Sequence, residues 1–476
     1  MIRSHKRTKI IATVGPASRD YNIMLDLIKA GVDVFRLNFS HGTHAEHLQV
    51  IEQVHKINRT YKLNIGILID LQGPKIRVGD VENGVLTLAN DQIIKITTQE
   101  QLSNSELLYI SYLNLAEDAK AGDKILIDDG KIELKVVDTN PLAKTLTAQV
   151  IYGGEITSKK GVNLPDTELT VPSLTEKDKA DLKFALKHRP SWVALSFVRK
   201  PEDIIELKQM IDADNSVKVI AKIEKPEGVK VIDEIIAVSD AIMIARGDLG
   251  VEVPMERMPI IQKEIVKKCV QASKPVIVAT QILDSMTYNA RPTRAEINDV
   301  ANDMMDGADA LMLSGETATG KHPARVIETL TTIMHAVEEQ EIIYNKHLLP
   351  KKESETYLSD AVCYSACQLA ETVNADAILG MTRSGYTAFM VSSSRPKAKI
   401  IIFTNNEDLL NILSLSWGVQ AFYYDKFVST DDTIHDVIEI LKKNQILRLD
   451  DVVINTGTMP LMHRAKTNMV KITIVS

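Results

Sequence analysis

The chain has 476 residues, 45% of them hydrophobic, and carries 56 Lys and Arg against 63 Asp and Glu, for a formal net charge of −7. This length exceeds what one hydrophobic core serves, so we expect roughly two to four domains. A net negative charge gives no general field for nucleic acid or an anionic membrane, and the sequence has no apolar run long enough to cross a bilayer. An anionic ligand would have to be held by local positive charge.

The cysteines and the N-terminal residues indicate the cellular compartment. Cys269, Cys363 and Cys367 are too few for a disulfide framework and lack the paired spacing of a zinc site. The basic N-terminus runs into a glycine and proline turn and not into a cleavable apolar segment. These features predict a reducing, cytoplasmic setting, with the cysteines as small buried side chains.

Short β-branched runs alternate with longer helical patterns, as in a parallel sheet built from β–α units. The runs are residues 9–15, 32–39, 64–71, 191–198, 217–224, 241–248, 275–282 and 308–315. Eight such units predict an α/β fold in which a (β/α)8 TIM barrel closes. An open doubly wound sheet is the alternative.

Two other segments differ from the barrel units in their predicted pattern of strands and helices. Residues 72–170 form short alternating strands with Gly, Asn and Asp between them, and predict a small antiparallel β-barrel domain inserted as a lid over the barrel mouth. Residues 345–476 alternate helix and strand again and predict a C-terminal open α/β domain. The barrel itself is then expected at residues 1–71 and 171–344.

The fifth run ends in a lysine and a glutamate two residues apart. Residues two apart on a strand share a face, so Lys222 and Glu224 project together. The next run leads to Asp248, which would lie beside Glu224 if the barrel closes. Two carboxylates with few other protein ligands suit Mg²⁺, which keeps waters and takes oxygens from substrate phosphates. A Lys-x-Glu pair alone is usually a surface ion pair, but a place at the mouth of a barrel favours a functional site.

Arg36, Asn38 and Ser40 alternate at the end of the second run, and Asp70 ends the third. An alternating polar set can be the solvent face of an edge strand. A closed barrel has no edge strand, so an inward Arg36 needs an anion, and a planar guanidinium suits phosphate.

Further groups at the strand ends suit an anionic substrate. The amides of Gly247 and Asp248 offer a seat for a carboxylate. Thr280 lies at the end of the seventh run, where a threonine by itself is usually just a strand residue. Because phosphoryl transfer needs mainly positioning and neutralised oxygens, Mg²⁺, Lys222 and Arg36 together predict that chemistry.

A set of motifs carries a family resemblance over the whole chain. They are TKIIATVGPAS, FRLNFSHG, DLQGPKIR, SKKGVNLP, ALSFVR, AKIEKPEGV, ARGDLGVEVP, ATQILDSM, RPTRAEINDVAN and LMLSGETATGKHP. In order and spacing they resemble the motifs of pyruvate kinases, and a set of this size is far more specific than any one motif. The resemblance implies a barrel with an inserted lid and a regulatory C-terminal domain, usually in a homotetramer. It also implies transfer of the phosphoryl group of phosphoenolpyruvate to ADP.

The resemblance also implies roles by position. Lys222 would stabilise the transferring phosphoryl group, and Glu224 and Asp248 would ligate Mg²⁺ or Mn²⁺. Phosphoenolpyruvate would be held by Arg36, Thr280, Lys222 and the amides of Gly247 and Asp248. The nucleotide would be held by Arg77, Lys160, Asn38 and His41.

One departure concerns K⁺, which the family holds with the counterparts of Asn38, Ser40, Asp70 and the Leu71 carbonyl. Potassium-dependent members carry glutamate where this chain has Lys75. We expect the Lys75 ammonium to supply positive charge near Asp70, so that no monovalent cation is required. The alternative is that Lys75 points to solvent and the K⁺ site survives.

A Ser/Thr/Gly loop in the C-terminal segment is a candidate effector site. Its residues are Thr382, Arg383, Ser384, Gly385 and Thr387. Such a loop can grip a phosphate, or it can be an ordinary turn and N-cap. Family members bind phosphorylated activators here. His463, Arg464 and Lys466 in the last loop favour a sugar monophosphate or AMP over fructose 1,6-bisphosphate.

Two rival functions remain at this level. A magnesium-dependent lyase acting on pyruvate-like enolates would also combine an arginine with two carboxylates, but it needs neither Lys222 nor the lid lysine Lys160. A metabolite-binding protein without catalysis would have no use for two metal carboxylates beside Lys222.

Overall fold

The structure is a computed structural model that describes residues 5–211, 216–346, 348–426, 429–459 and 466–476. His463 and Arg464 of the candidate effector loop lie outside the described residues. Among the helices of the described segments, none is long and apolar enough to cross a membrane.

The first barrel segment alternates strand and helix. It contains β1 (Lys9–Thr13), α1 (Tyr21–Ala30), β2 (Val34–Asn38), α2 (His44–Tyr61) and β3 (Gly66–Asp70). The Asp20 side chain caps α1 by accepting from the amides of Asn22 and Ile23, and Thr43 begins α2 with a capping box.

The inserted segment after β3 is built almost entirely of strands. They are β4 (Val85–Leu88), β5 (Ile93–Thr97), β6 (Leu107–Tyr109), β7 (Lys124–Ile127), β8 (Ile132–Asn140), β9 (Thr145–Tyr152), β10 (Gly154–Thr157) and β11 (Val162–Asn163), with one short helix, α3 (Leu115–Asp118). A six-stranded sheet in the order β11-β7-β8-β9-β5-β6 and the pair β10-β4 share one apolar core. The predicted antiparallel pairing has two exceptions, since β5 and β6 run parallel and the isolated bridge between Val81 and Ser103 is parallel. We call this segment the lid.

The second barrel segment supplies the other five barrel strands. Its elements are α4 (Glu176–Leu186), β12 (Trp192–Leu195), α5 (Pro201–Met210), β13 (Lys218–Ile223), α6 (Pro226–Lys230), α7 (Ile232–Val238), β14 (Ala241–Ala245), α8 (Arg246–Glu252), α9 (Met258–Gln271), β15 (Val276–Ala279), α10 (Arg294–Asp306), β16 (Ala310–Leu313), α11 (Gly315–Ala318) and α12 (Pro323–Glu338). The strands close in the order β1-β16-β15-β14-β13-β12-β3-β2. The closed barrel is confirmed, and the open doubly wound alternative is wrong.

The C-terminal segment is a five-stranded sheet flanked by helices. It contains α13 (Tyr357–Thr372), β17 (Ala377–Met381), α14 (Tyr386–Ser393), β18 (Lys399–Thr404), α15 (Glu407–Ile412), β19 (Val419–Tyr423), α16 (Thr430–Lys443), β20 (Val452–Gly457) and β21 (Met469–Ile474). The sheet order is β19-β18-β17-β20-β21, and only the pair β20-β21 is antiparallel.

The two faces of this C-terminal sheet belong to different cores. Ile400 and Ile402 of β18 belong to the same apolar cluster as the barrel, whereas Ile401 and Phe403 belong to a separate cluster with α16. This follows from the period of two along a strand. The barrel and the C-terminal sheet therefore share a core, while the predicted domain boundaries stay predictions.

Candidate active site

Neighbouring barrel strands place polar side chains at the mouth. Arg36 lies on β2, Asp70 is the last residue of β3, and Lys222 lies on β13 with Glu224 just after it. Each of these residues is more than nine-tenths buried. Because parallel strands of a barrel end at the same rim, residues far apart in sequence meet here.

Lys222 is the centre of a buried charge network. Its Nζ lies 3.1 Å from Asp70 Oδ1 and 3.0 Å from Glu224 Oε1. It also donates a hydrogen bond of 2.7 Å to Ser196 Oγ. Arg36 Nε donates to the other Asp70 oxygen at 2.7 Å. Asp70 thus joins the two cations predicted to hold substrate.

The electrostatics of the network keep Lys222 charged. Burial alone would lower the pKa of Lys222, but Asp70 and Glu224 outweigh it and raise the pKa to about 12. Burial also opposes ionisation of Asp70, yet Lys222 and Arg36 hold the pKa of that carboxyl below its usual value. The pKa of Glu224 is raised by burial, with Lys222 opposing and the nearby Asp248 adding to the rise. The cluster is therefore receptive to a further cation between Glu224 and Asp248.

Sequence reasoning missed two hydroxyl residues of this network. Thr13 Oγ1, at the end of β1, accepts a hydrogen bond of 2.8 Å from Arg36 Nη1. Ser196, directly after β12, accepts from Lys222 and donates to the Leu71 carbonyl at 2.7 Å. The available signal was position, since both residues lie where a barrel strand ends.

Gly247 and Asp248 lie in the first turn of α8, which follows β14 directly. The Gly247 amide, predicted to face phosphoenolpyruvate, instead donates a hydrogen bond of 2.7 Å to Thr280 Oγ1. Thr280 follows β15 in the left-handed region, with φ of 70°. The Thr280 hydroxyl in turn donates to the Ala279 carbonyl, so both groups are bonded within the protein.

A cavity of about 220 Å³ lies between the barrel mouth and the lid. Lys75, Arg77, Lys160, Arg199 and Asp248 are among its lining residues. Arg77 Nη1 donates to the Lys159 carbonyl at 2.9 Å. Lys160 Nζ donates to Asp128 Oδ1 at 2.7 Å, within the lid. Both predicted nucleotide cations therefore line the cavity but are bonded to groups of the lid.

The other two predicted nucleotide residues lie after β2. Asn38 Oδ1 accepts a hydrogen bond of 3.1 Å from the amide of Ser40. Burial lowers the pKa of His41, and the charges of Arg77 and Lys75 lower it further. His41 is therefore neutral near pH 7 and lies within the field of the nucleotide cations.

Lys75 does not lie where the sequence led us to expect it. Its Nζ is 3.6 Å from Asp248 Oδ1, so it neutralises a candidate metal ligand and not Asp70. Asp70 is already paired with Arg36 and Lys222. The correction follows from the chain path, because the turn after β3 carries Lys75 toward the cavity beside α8.

A buried ion pair ties the lid to the barrel. Lys225 Nζ lies 2.7 Å from Glu252 Oε1, and the two side chains are 4% and 1% exposed. Asn163 Nδ2, on the lid strand β11, donates to the same oxygen at 2.8 Å. No local sequence pattern predicts this contact, because its members come from three distant segments.

The candidate effector loop links β17 to α14. Gly385 has φ of 87°, and its amide donates to Thr382 Oγ1 at 3.0 Å. Ser384 Oγ accepts from the Tyr386 amide at 3.4 Å. Thr387 Oγ1 is buried 2.7 Å from Thr467 Oγ1. The exposed Arg383 lines an open cavity of about 470 Å³.

Comparisons with known proteins agree with this geometry. The model of the pyruvate kinase barrel domain matches residues 5–327, and the model of the pyruvate kinase alpha/beta domain matches residues 360–473. The chain is 39% identical over 475 residues to a pyruvate kinase of Geobacillus stearothermophilus, with 99% of this chain and 81% of that protein covered. It is 42% identical to pyruvate kinase 2 of Synechocystis sp., with 99% and 79% covered.

Solved structures give the same result. The fold matches a crystal structure of a pyruvate kinase from Cryptosporidium parvum with a TM-score of 0.92 and 33% identity, covering 99% of this chain and 96% of that one. Both family models, and the relatives that match nearly the whole of this chain, are pyruvate kinases. The chain belongs to the pyruvate kinase family.

Proposed function

We propose that the barrel mouth carries out the reaction of the family, transfer of the phosphoryl group of phosphoenolpyruvate to ADP, through the residues described above. The observation that carries these roles is the buried Lys222 ammonium between Asp70 and Glu224. Phosphoryl transfer needs positioned reactants and neutralised phosphoryl oxygens. With its pKa raised to about 12, Lys222 stays charged throughout the working pH range.

The reaction breaks the bond between phosphorus and the enol oxygen and forms one to the terminal phosphate oxygen of ADP. The enol oxygen keeps the electron pair, and the enolate takes a proton at its methylene carbon to become pyruvate. Lys222 stabilises the transferring group, and Arg36 holds the phosphate. Thr280 and the amides of Gly247 and Asp248 hold phosphoenolpyruvate. Thr280 also relays the proton through ordered water.

The residues at the mouth fit a divalent cation. Glu224 and Asp248 are close enough that the charge of Asp248 raises the pKa of Glu224. Among the described residues no cluster of three or more His, Cys, Asp or Glu could hold a metal. Two protein carboxylates therefore leave positions for water and substrate oxygens, as Mg²⁺ prefers. When bound, Mg²⁺ or Mn²⁺ supplies charge that neutralises phosphoryl and enolate oxygens.

The nucleotide binds in the cavity under the lid. Arg77 and Lys160 contact its phosphates, with Asn38 and His41 nearby. Lys160 is held by Asp128 in this structure, and that ion pair is only partly buried. An exchange of Asp128 for a phosphate oxygen therefore costs Lys160 little.

Catalysis without K⁺ is part of the proposal, although the family generally uses both Mg²⁺ and K⁺. The positive charge at Asp70 is supplied by Arg36 and Lys222, and Lys75 adds charge beside Asp248. In addition, the Leu71 carbonyl, a K⁺ ligand in the family, accepts from Ser196 in this chain.

The loop of residues 382–387 binds the phosphate of a sugar monophosphate or AMP, which activates the enzyme. Its left-handed Gly385 and its hydroxyl groups support this role.

A homotetramer is supported by exposed apolar side chains on two faces, including Met255 and Tyr288 beside the barrel mouth and Ile474 on the edge strand β21. Three buried cysteines without disulfides support a reducing, cytoplasmic setting.

The test is pyruvate formation from phosphoenolpyruvate and ADP with Mg²⁺, measured in parallel buffers with and without K⁺. Strong activity in both buffers supports the reaction and the role of Lys75 together. Activity only with K⁺ keeps the reaction but removes the role of Lys75. The Lys222→Met variant, assayed in the same buffers, shows whether the activity depends on this site.

A further inference from the structure

The backbone that carries Thr280 is strained. Thr280 and Gln281 have φ of 70° and 55° in succession, and a β-branched residue rarely adopts this region. Such conformations persist only where the surroundings hold them, and they cluster at functional sites. The hydrogen bond from the Gly247 amide to Thr280 Oγ1 holds the side chain but not the two peptide groups.

Arg246 holds those peptide groups. Its Nε and Nη2 donate to the Thr280 carbonyl at 3.2 and 2.9 Å, and Nη2 also donates to the Gln281 carbonyl at 3.2 Å. Arg246 begins α8 directly before Gly247, so the same residue anchors both sides of the Thr280 hydroxyl contact. A planar guanidinium with donors in fixed directions can satisfy two carbonyls at once.

The other end of the Arg246 guanidinium faces two carboxylates of α10. Nη1 lies 2.7 Å from Asp299 Oδ2 and 3.5 Å from Asp303 Oδ2. The Asp299 side chain is 39% exposed, whereas that of Asp303 is fully buried. Asp303 Oδ1 accepts from Gln262 Nε2 at 2.6 Å, and Oδ2 has no hydrogen-bond partner among the described residues. A buried carboxylate oxygen that faces only a cation is costly for the fold, which argues for a functional reason.

We propose that Asp303 is a positioning residue for phosphoryl transfer: through Arg246 it holds the Thr280 and Gln281 carbonyls and so keeps the Thr280 hydroxyl at the barrel mouth. This inference rests on the proposed role of Thr280. Asp303 touches neither substrate nor the candidate metal ligands. Its effect on the reaction passes entirely through the guanidinium of Arg246.

The arrangement also predicts a pH response near neutrality. Burial raises the pKa of Asp303 to about 7; Arg246 opposes the rise, and Asp299 and Asp306 on the same helix add to it. From α9, Gln262 contributes a hydrogen bond, and Lys263 is paired with Asp306. The other elements packed on α10 are α12 and residues 341–343. On these elements Arg325 pairs with Glu328, and Glu341 pairs with Lys397.

The direction of this pH response follows from the raised pKa of Asp303. Above pH 7 Asp303 is ionised and pairs with Arg246; as pH falls through 7 it takes a proton and the pair weakens. Stability moves the other way, since a carboxyl with a raised pKa makes the fold less stable when it ionises. Loss of the charge should therefore impair catalysis without lowering the melting temperature.

The test compares Asp303→Asn with the wild-type chain between pH 6 and 8. At pH 8 we expect the variant to raise KM for phosphoenolpyruvate and lower kcat, by a combined factor of about ten in kcat/KM, with KM for ADP unchanged. At pH 6 the two proteins should converge. The variant should melt at the same temperature as the wild type or higher at pH 8.

Asp306→Asn is the matched control, because it removes an acid of the same helix that pairs with Lys263 and does not contact Arg246. The substrate titrates in this control as it does with the wild type, so Asp306→Asn should keep the wild-type loss of activity between pH 8 and pH 6. The loss should be displaced slightly to lower pH, because Asp306 adds to the rise in the pKa of Asp303. An Asp303→Asn variant with that same profile would overturn the inference, as would equal losses for both substrates with a lower melting temperature. If Thr280→Ala also left phosphoenolpyruvate kinetics unchanged, the proposed site would fail; if only Asp303→Asn did so, the inference alone would fail.

Discussion

The barrel side and the lid side of the active-site cavity hold their charged groups in different ways. Lys222 and its carboxylate partners are buried and bond to one another. On the lid side, the Lys160 side chain is 36% exposed and bonds to Asp128 of the lid itself. The difference indicates that the phosphoenolpyruvate half is built by folding, whereas the nucleotide half is completed by an exchange of partners. Variants of each half should therefore fail differently.

The largest loss of activity is expected for Lys222→Met. Removing the ammonium should lower kcat by about 10²- to 10³-fold, because one stabilising charge at the transition state has an effect of that order. KM for ADP should change little. Steady-state rates of pyruvate formation give both kcat and KM for ADP. Lys218→Met is the control, since Lys218 lies on the same strand but pairs with Asp240; a Lys222→Met variant within tenfold of wild type would contradict the account.

The next largest effect is expected on stability, at the Lys225–Glu252 ion pair that joins the barrel and the lid. Lys225→Met leaves Glu252 buried without its cation, and breaking such a pair costs about 3 kcal/mol or more. Burial already raises the pKa of Glu252, with Lys225 opposing. The loss of stability should therefore be larger at pH 8 than at pH 5, because protonation of Glu252 removes the charge that Lys225 compensates. Urea denaturation at both pH values checks this.

The control for that measurement is Lys179→Met, which breaks an exposed pair with Glu176 and should leave stability unchanged. An equal loss of stability at pH 8 and pH 5 for Lys225→Met would show that packing, and not the buried charge, explains the effect.

Lys75 lies at the rim between the two halves, beside Asp248. Lys75→Glu replaces the ammonium beside Asp248 with a like charge, so activity without K⁺ should fall by at least about tenfold. Added K⁺ should restore much of it, while the wild type should respond little. Rates titrated with KCl, against a control salt of a larger organic cation, measure the response. A wild type that requires K⁺ would contradict the prediction.

The smallest expected effect lies on the lid. Lys160→Ala should raise KM for ADP by about five- to tenfold, because one charge-assisted hydrogen bond to a nucleotide phosphate is lost. KM for phosphoenolpyruvate should not change. Lys131→Ala removes the other lysine paired with Asp128 and serves as the control. Equal effects of the two variants would mean that Lys160 has no contact with the nucleotide.

Sequence periodicity predicted the parts of the molecule that depend on strands. A strand fixes which residues share a face and where they end, so Lys222, Glu224, Arg36 and Asp70 could be assigned to one rim from the sequence. The family resemblance added Thr280 and the lid residues. These assignments needed no knowledge of loop paths.

Contacts between distant segments could not be predicted in the same way. Lys225, Glu252 and Asn163 come from three segments, and Asp303 reaches Arg246 from a helix near the end of the barrel. No local pattern marks such pairs. The position of Lys75 depended on the turn after β3, so the charge argument placed it beside Asp70 and the structure places it beside Asp248.

The most direct test is calorimetric binding of each substrate, separately, to the wild type and to Lys160→Ala in the presence of Mg²⁺. If the barrel half is built by folding, phosphoenolpyruvate should bind both proteins with the same Kd, while ADP binds the variant several-fold more weakly. A parallel loss of affinity for phosphoenolpyruvate and ADP would contradict the account, because it would mean that the lid lysine helps to build the barrel half of the site.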